Sequence, residues 1–404
     1  MMPPMPLEEA QARLLALVEA LPVEHVDVES AAGRYLAAPL LARRCQPMAD
    51  MSAMDGYALS PGDIAGPWKV IGESAAGHPF MGTIAKGQAV RISTGALLPA
   101  SAGAVIVQED LAREGDHLTL TGDAPTPENK HIRAKGLDFQ DGAPLLAVGT
   151  LIGPAQIGLA IASGHRHLPV RRLPRLAVID SGDELSADPE ACGDHQIPAS
   201  NGAMLTALAR SVPVDAKRNG PVPDDIDAIV AAFSATQDAD VIVTSGGASV
   251  GDHDLLRPAL EAWGADIDFW RVAIKPGKPL LVATRRQGAR KQIVIGLPGN
   301  PVSSLVTAYL FLLPVLRALS GASGALARPI TARLSQPLQP GSARREFVRG
   351  CWDGETVHAL SLQDSGALSS LAASNVLIDR PAQAPRAEVG DTVQMFLLQN
   401  GGIA

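Results

Sequence analysis

The pattern of apolar and polar positions changes character along the chain, and one segment alternates regularly. Between residues 173 and 326, short apolar runs alternate with longer runs of helical period. In chain order they are LAVID, NGAMLTALARS, DAIVAAFSA, VIVTS, LLRPALEAWG, IVIGL and PVSSLVTAYLFLL. This alternation predicts a mostly parallel sheet with helices on both faces, a central three-layer α/β/α unit.

The flanking segments predict smaller, β-rich units. Short alternating runs such as AVIVQED and HLTLTG lie between clusters of Gly, Pro and Asp in 45–136, and the C-terminal part returns to short strands. The N-terminal part opens with an amphipathic helix over 7–21. We therefore predict α/β plus β-rich domains: a discontinuous α+β domain (7–44 and 137–172), a β-rich insert (45–136), the α/β domain (173–326) and a small C-terminal β-barrel-like domain (327–404).

Composition narrows the class of protein. The net charge of −8 over 404 residues argues against a general nucleic-acid binder. The three cysteines lack paired ligand spacing, which argues against structural zinc and favours a reducing compartment. The N-terminus lacks the pattern of a signal peptide, and the apolar run LVTAYLFLLPVL is shorter than the roughly 20 residues that span a bilayer. We expect a soluble, cytoplasmic protein that binds neither nucleic acid nor membrane.

Three apolar runs of the α/β segment lead into glycine-rich loops and then into predicted helices. They are LAVIDSGDEL, VIVTSGGASVGDHD and IVIGLPGNPVSSL. At the carboxyl edge of an open sheet, such loops direct backbone N–H groups toward a ligand. The second loop contributes glycines, which allow close backbone approach, and hydroxyls that donate to phosphate: Ser245, Gly246, Gly247 and Ser249. A tight turn that requires positive φ would explain the same glycines.

Acids and lysines accompany these loops. Asp252 and Asp254 suit a divalent cation that bridges phosphate to protein, and Glu184 follows the first strand. In IKPGKP, prolines flank Lys275 and Lys278, which suits an oxyanion site, although a surface lysine pair is the ordinary alternative.

The third loop places Pro298, Gly299, Asn300 and Pro301 at a helix start, which suits an anion or simple helix capping, and both can hold. The nine histidines form no serine–histidine–acid pattern. From these residues alone we infer a phosphate-bearing ligand flanked by acids.

Six motifs then carry a resemblance that covers nearly the whole chain. In order, they are SAMDGYA, RISTGALLP, SGDEL, SGGASVGDHD, FWRVAIKPGKPL and GLPGNPVSS, and REFVRG and QDSGALSSLAASNVLI follow near the C-terminus. This series resembles the MoeA family of molybdopterin molybdenumtransferases and the related E domain of gephyrin.

The resemblance implies an enzyme that inserts molybdenum from molybdate into adenylated molybdopterin and releases AMP, with Mg²⁺ as cofactor. It also implies a homodimer of four-domain subunits, with the site between the α/β domain of one subunit and the β-rich insert of the other. Beyond the dimer, it implies a molybdopterin adenylyltransferase and molybdoenzyme-loading proteins as partners.

The family's functional positions match individual residues of this chain. They are Asp55, Thr94, Asp138, Glu184, Asp254, Lys275, Lys278, Pro298 and Pro301, with Asp225 as a looser match. The resemblance implies that the lysines bind molybdate or pterin phosphate, that Glu184 and Asp254 serve the cation, and that the second and third loops hold phosphates. By spacing alone, Asp55, Thr94 and Asp138 are ordinary turn residues.

Two positions depart from the family pattern, and two rival functions stay open. Met51 replaces the asparagine of DNSAMDGYA, and Ala199 replaces the aspartate of an Asp-Ser-Asn sequence.

One rival is an ATP-dependent molybdopterin adenylyltransferase, which shares the α/β domain but lacks the SAMDGYA insert and the C-terminal domain. The other is a non-enzymatic scaffold on the same fold.

Overall fold

A six-stranded sheet forms the centre of the computed structural model, which describes residues 4–246, 255–288 and 290–398. Its strands are β1 (Arg175–Ser181), β2 (Asp215–Val222), β3 (Val241–Ser245), β4 (Asp266–Arg271), β5 (Pro279–Gln287) and β6 (Arg290–Leu297), in the order β2-β1-β3-β6-β5-β4. The first four in that order are parallel, and β5 runs antiparallel to both β6 and β4. The predicted mostly parallel sheet is confirmed.

Helices cover both faces of this sheet. They are α1 (Ser200–Ala209), α2 (Ile226–Ala235), α3 (Leu256–Ala262) and α4 (Pro301–Leu319). Successive strand residues point to opposite faces, so Val178 joins one buried cluster with α1 and α4, and Ile179 joins the other with α2 and α3. The result is the predicted three-layer unit.

Helix α4 contains an irregular turn, and a side chain of the N-terminal helix supplies a hydrogen bond to its backbone. Residues Ala308–Leu312 form a π-helical turn just before Pro314. Proline has no N–H, so it cannot donate to the carbonyl of Leu310 four residues earlier. The side-chain amide of Gln11 donates to that carbonyl at 2.9 Å instead. Among the described residues one helix, α4, is long and apolar enough to cross a membrane, and 89% of its apolar window is buried inside the protein, as expected of a core helix.

The N-terminal helix belongs structurally to this central core. It spans Leu7–Ala16, shorter than the predicted 7–21, and buries Leu7, Ala10 and Leu14 in the cluster that also holds α4. A separate small core forms where Val23–Asp27 pairs with His167–Arg171 and Leu40–Leu41 pairs with Pro144–Leu146. The helix Pro154–Ala162 and the 3-10 turn Val28–Ala31 cover that core.

The polypeptide between these paired strands forms a second six-stranded sheet with its own apolar cores. In sheet order its strands are Ala104–Val107, Gly56–Leu59, Gln88–Ile92, Trp68–Ser74, His117–Leu120 and Leu111–Glu114, with the 3-10 turn Gln108–Asp110 before the last. Short pairs join Met51–Ser52 to Ile132–Arg133 here, and Leu185–Ser186 to Ile197–Pro198 in the α/β unit.

The C-terminal strands close into a five-stranded barrel-like sheet. In order they are Arg345–Trp352, Thr356–Ala359, Ile330–Leu334, Thr392–Leu397 and Val376–Arg380, and the last pairs again with the first. The helix Leu368–Ala373 lies beside it, and the two-residue strand Ile274–Lys275 adds to Arg345–Glu346 in parallel. The predicted fold class, an α/β unit with a β-rich insert and a small C-terminal barrel, is confirmed.

The Gln11 contact predicts a measurable effect on stability. Gln11→Ala should lower the free energy of unfolding by about 1–3 kcal/mol, because it leaves a buried carbonyl of α4 without a donor. Urea denaturation followed by circular dichroism measures this change. Gln287→Ala, at an exposed position of β5, is the matched control and should change stability by less than about 0.5 kcal/mol. Equal stability of the two variants would show that Gln11 does not compensate for Pro314.

Candidate functional site

A cleft of about 930 Å³ lies where the carboxyl ends of the parallel strands face the C-terminal barrel. The α/β side contributes the loop after β1, Gly246 after β3, and Pro298–Pro301 after β6. The barrel side contributes Arg344 and Glu346 and the loop Gln363–Ser365. Ligands of open α/β sheets bind outside these strand ends, which makes this cleft the candidate functional site.

Strand pairing brings the two predicted lysines into the cleft. Lys275 belongs to the short strand that joins the barrel, and its ammonium lies 2.9 Å from the Glu346 carboxylate. Burial alone would raise the pKa of Glu346, but hydrogen bonds from Lys275 and Ser342 lower it overall, so the ion pair persists. Lys278 also lines the cleft. Both lysines of IKPGKP therefore line one cleft.

Glycine is required within this motif by close packing. Gly277 has φ +98°, and a Cβ there would lie 2.3 Å from the Thr307 hydroxyl oxygen on α4. A side chain at residue 277 would push the segment off the helix, so the glycine sets the position of the lysines on either side of it.

The start of α4 joins the two walls of the cleft. Pro301 occupies the first turn, as predicted, but the Asn300 side chain does not cap the helix. Its amide donates instead to the Ser365 hydroxyl at 3.2 Å, while the Val302 N–H donates to the Ser365 carbonyl at 3.0 Å. The capping role considered for Asn300 is therefore wrong, because the barrel loop lies close enough to take both groups.

Two carboxylates lie at the opposite side of the cleft, and one of them was missed. Glu184 lines the cleft as expected, but Asp225 does not: its carboxylate accepts the Ala228 N–H at 2.9 Å and caps α2. Its neighbour Asp224 lines the cleft. The backbone N–H of Asp224 donates to Asp183 at 3.0 Å, which ties this loop to the loop after β1.

A smaller pocket of about 80 Å³ adjoins the cleft behind Ser245 and Gly246. Asp180, the last buried residue of β1, pairs there with Arg218 at 3.1 Å. Burial raises the pKa of Asp180, and Arg218 opposes that shift. Asn201 donates to the Ser245 hydroxyl at 2.8 Å and to the Gly299 carbonyl at 2.6 Å, so it links α1 to the loops after β3 and β6.

Three predicted residues lie outside the cleft of this chain. The Asp55 carboxylate accepts the Thr94 N–H at 2.7 Å, and this hydrogen bond lowers the pKa of Asp55. Both belong to the inserted sheet region, and exposed Asp138 lies just after the insert. The structure therefore brings Asp55 and Thr94 together, although their spacing in sequence gave no sign of it.

The remaining predictions fall outside the described residues. These are Gly247, Ser249 and Asp254, together with Asp252. Within residues 4–246, 255–288 and 290–398, no three His, Cys, Asp or Glu residues gather as potential metal ligands.

The barrel residues of the cleft had no individual signal in the sequence. Arg344 and Glu346 lie in or beside REFVRG, and Asp364 and Ser365 lie in QDSGALSS, two segments noted only as part of the family resemblance. Polar residues in turns are common, so only the position of the barrel against the α/β unit distinguishes them.

Three family models together match most of the chain. The model for the MoeA N-terminal region (domain I and II) matches residues 5–164, that for the probable molybdopterin binding domain matches 177–318, and that for the MoeA C-terminal region (domain IV) matches 331–398.

Individual relatives match along most of their lengths. The molybdopterin molybdenumtransferase of Haemophilus influenzae is 32% identical over 96% of this chain and 97% of its own. That of a Nostoc species is 35% identical over 89% and 85%. A crystal structure of the molybdopterin biosynthesis moeA protein from Pyrococcus horikoshii superposes with a TM-score of 0.84 at 26% identity, covering 98% of this chain and all of that one. By sequence, fold and domain order, the chain belongs to the MoeA family of molybdopterin molybdenumtransferases.

Proposed function

We propose that the protein inserts molybdenum from molybdate into adenylated molybdopterin and releases AMP. The observation that carries this proposal is the cleft itself, in which Lys275, Lys278 and Arg344 face the glycine-rich strand ends. Three cations beside the glycine-containing turns suit a substrate with a phosphoanhydride and a second oxyanion. The curated relatives are molybdopterin molybdenumtransferases, and this chain aligns with most of their length, which supports this reaction.

In this mechanism the protein acts mainly by positioning and by neutralising charge. Lys275 and Lys278 bind molybdate or pterin phosphate, and the turns at Gly246 and Gly299 hold phosphate oxygens. Such a site lowers the barrier by orienting the reactants and by stabilising charge that develops as the phosphoanhydride breaks. Glu346 holds the Lys275 ammonium at the wall of the cleft, where an incoming oxyanion meets it.

The carboxylates on the far side of the cleft fit a Mg²⁺ ion. Mg²⁺ usually takes one or two protein carboxylates and completes its shell with water and substrate phosphates, so Glu184 and Asp224 offer a sufficient donor set. Asp254, predicted for the same role, falls outside the described residues. When bound, the ion would neutralise phosphate charge and polarise the bond that breaks.

A second subunit would complete the site. Asp55, Thr94 and Asp138 match functional positions of the family but lie outside the cleft of their own chain. We therefore propose a homodimer in which the inserted sheet of one subunit faces the cleft of the other. A cytoplasmic adenylyltransferase would supply the substrate, and molybdoenzyme-loading proteins would receive the product.

The adenylyltransferase alternative requires only the α/β unit. The family models that match residues 5–164 and 331–398 support the transferase, because these parts of the chain lie outside that unit. ATP consumption without adenylated pterin would favour the alternative.

Removing the lysine that pairs with Glu346 should stop the reaction. Lys275→Ala should lower molybdate-dependent AMP release at least about 100-fold, since it removes a cation from the oxyanion site. Incubation with adenylated molybdopterin, Mg²⁺ and molybdate, with AMP measured by chromatography, tests this. Lys86→Ala, at an exposed position of the insert, is the control and should keep full activity. No AMP from the wild-type protein above the molybdate-free blank would reject the reaction itself.

Mixed dimers test whether two subunits share the site. Asp55→Ala and Lys275→Ala should each be inactive alone. A dimer with one chain of each kind restores one complete site, so random 1:1 mixing should recover about a quarter of wild-type activity. Assay of the mixture measures this, and the hybrid purified after co-expression with two affinity tags, which has one intact site of two, should show about half of wild-type activity. An inactive hybrid would show that Asp55 and Lys275 act within one chain.

Glu184 should set the requirement for magnesium. Glu184→Gln should raise the Mg²⁺ concentration for half-maximal AMP release by about tenfold or more, because a neutral amide is a poor ligand for a hard cation. A Mg²⁺ titration of the rate provides the measurement. Glu190→Gln, an exposed carboxylate of the same connecting segment, is the control. Identical titration curves for the two variants would remove Glu184 from the ion site.

A further inference from the structure

Three neighbouring strand ends of the inserted sheet meet at Asp55. The strand Gly56–Leu59 is buried throughout and pairs with Gln88–Ile92 on one side and with Ala104–Val107 on the other. Asp55 directly precedes this strand, and its carbonyl accepts the Gln108 N–H at 3.1 Å. The exposed side chain of Asp55 therefore stands at a rim whose backbone is fixed from both sides.

Thr94 reaches Asp55 from a tight turn that follows the neighbouring strand. The Ala96 N–H donates to the Ser93 carbonyl at 2.9 Å, and Gly95 has φ +78°, the conformation that such a turn requires of its third residue. Thr94 is the second residue of the turn, and its N–H donates to Asp55 Oδ1 at 2.7 Å. Both partners of this hydrogen bond are exposed, so its geometry depends on what holds the two segments together.

One guanidinium connects the segments around this pair. Arg91 Nη1 donates to the carbonyl of Gly56, the residue after the acid, at 2.8 Å. It also donates to the carbonyl of Ile92, two residues before the turn threonine, at 3.1 Å. The Nη2 atom donates to the Gln108 side-chain oxygen at 2.8 Å. The Arg91 guanidinium therefore cross-links the three segments that meet at the acid.

Packing holds this guanidinium and its first acceptor in place. The guanidinium carbon lies 5.4 Å from the centroid of the buried Tyr57 ring, whose face attracts a cation. A Cβ at Gly56 would lie 2.0 Å from the Ile106 carbonyl oxygen, so the two strands lie as close together as only glycine allows. The carbonyl that Arg91 binds is therefore fixed before any substrate arrives.

The chemistry of arginine suits this position better than that of lysine. A guanidinium offers five N–H donors in one plane and binds three acceptors at once, whereas an ammonium is a point charge on a flexible chain. Arg91 also acts on Asp55 through its charge. Hydrogen bonds from the Thr94 N–H and hydroxyl lower the pKa of Asp55 most, and the positive charge of Arg91 lowers it too. The carboxylate is thus kept charged as well as oriented.

We propose, on the basis of the proposed function, that Arg91 is a positioning residue for the transfer reaction: it holds Asp55 and Thr94 in the geometry in which the insert presents them to the cleft. Arg91 gives these three hydrogen bonds to the protein rather than to a ligand. An exposed acid needs such support, because a small misplacement of an acting group costs a large factor in rate.

The first measurement follows the hydrogen bond itself and needs no reaction. In full-length protein with isotopically labelled threonine, the NMR signal of the Thr94 amide should shift with pH as the Asp55 carboxylate takes up a proton. Asp55→Asn identifies the signal, because it abolishes that shift. We expect Arg91→Met and Arg91→Lys each to reduce the amplitude of the shift at least about twofold, since neither side chain bridges the three acceptors.

The second measurement is molybdate-dependent AMP release per folded protein. Arg91→Met should lower kcat about 10-fold or more and change the KM for molybdate less than about threefold, because the lysines of the cleft are untouched. Arg91→Lys should stay below about half of the wild-type kcat, since it restores the charge without the three hydrogen bonds.

A second variant keeps the test valid if Arg91→Met folds poorly. Gln108→Leu removes only the outer acceptor of the guanidinium, at an exposed position, and should reduce both readouts by a smaller factor. Arg113→Met is the matched control. This exposed arginine of the same sheet donates to the Tyr57 hydroxyl at 3.4 Å and to the Gly115 carbonyl at 2.8 Å, and the variant should behave like wild type.

Several outcomes would overturn this role of Arg91. A Thr94 amide that does not titrate in the wild type, or that keeps its full amplitude in Arg91→Met, would show that the guanidinium does not hold the pair. Full AMP release by a variant that has lost the titration would separate the pair's geometry from the reaction.

Two further results would contradict the mechanism of support. Wild-type behaviour of Arg91→Lys in both measurements would show that charge alone suffices, and an equal loss in Arg113→Met would show a general effect on the insert. AMP release by the wild-type protein tests the reaction separately, so failure of the reaction can be told apart from failure of the positioning role.

Discussion

The candidate site depends on one strand pairing between the α/β unit and the C-terminal barrel. The segment 271–275 exchanges backbone hydrogen bonds with Met5 on one side, at 2.6 and 2.8 Å, and Ala273 accepts the Arg345 N–H on the other, at 3.0 Å. Ile274–Lys275 then extends the barrel in parallel with Arg345–Glu346. Without this pairing Lys275 would lie in a solvated loop, and the cleft would have only one wall. This pairing therefore fixes the distance between the sheet edge and the barrel, so that Lys275 and Lys278 lie in a cleft where an anion can bind.

Ion pairs at and beside the cleft hold two cations in place before any substrate binds. Lys275, which lines the cleft, is paired with Glu346, and Arg218 is paired with Asp180, so acids hold these two cations in defined positions. The protein as a whole carries a net charge of −8, whereas Lys275, Lys278 and Arg344 line this cleft. Such an arrangement favours a small multivalent anion that reaches the lysines, and the net negative charge of the protein disfavours extended polyanions.

Some residues changed role once their neighbours were known. Asn300 was predicted at a helix start and is there, but its amide reaches Ser365 because the barrel loop lies against the helix. Asp225 caps α2, while the adjacent Asp224 lines the cleft. Both residues lie in a loop, where the periodicity of strands and helices does not show which of two neighbours lines a site. The π turn of α4 and its Gln11 partner likewise depend on two segments about 300 residues apart.

The sequence by itself determined the elements and their chemistry. Apolar periodicity predicted the mostly parallel sheet and the buried helix. The glycine-rich loops located the strand ends, and six motifs identified the family. Periodicity carries this information because a strand or helix needs an apolar face wherever it packs. Only the tertiary structure decided which residues share the site: it joined Lys275 to Glu346, set Asp180 and Asn201 around one pocket, and left Asp55 and Thr94 outside the cleft. Those relations arise from contacts between distant segments, and no local pattern encodes the distance between them.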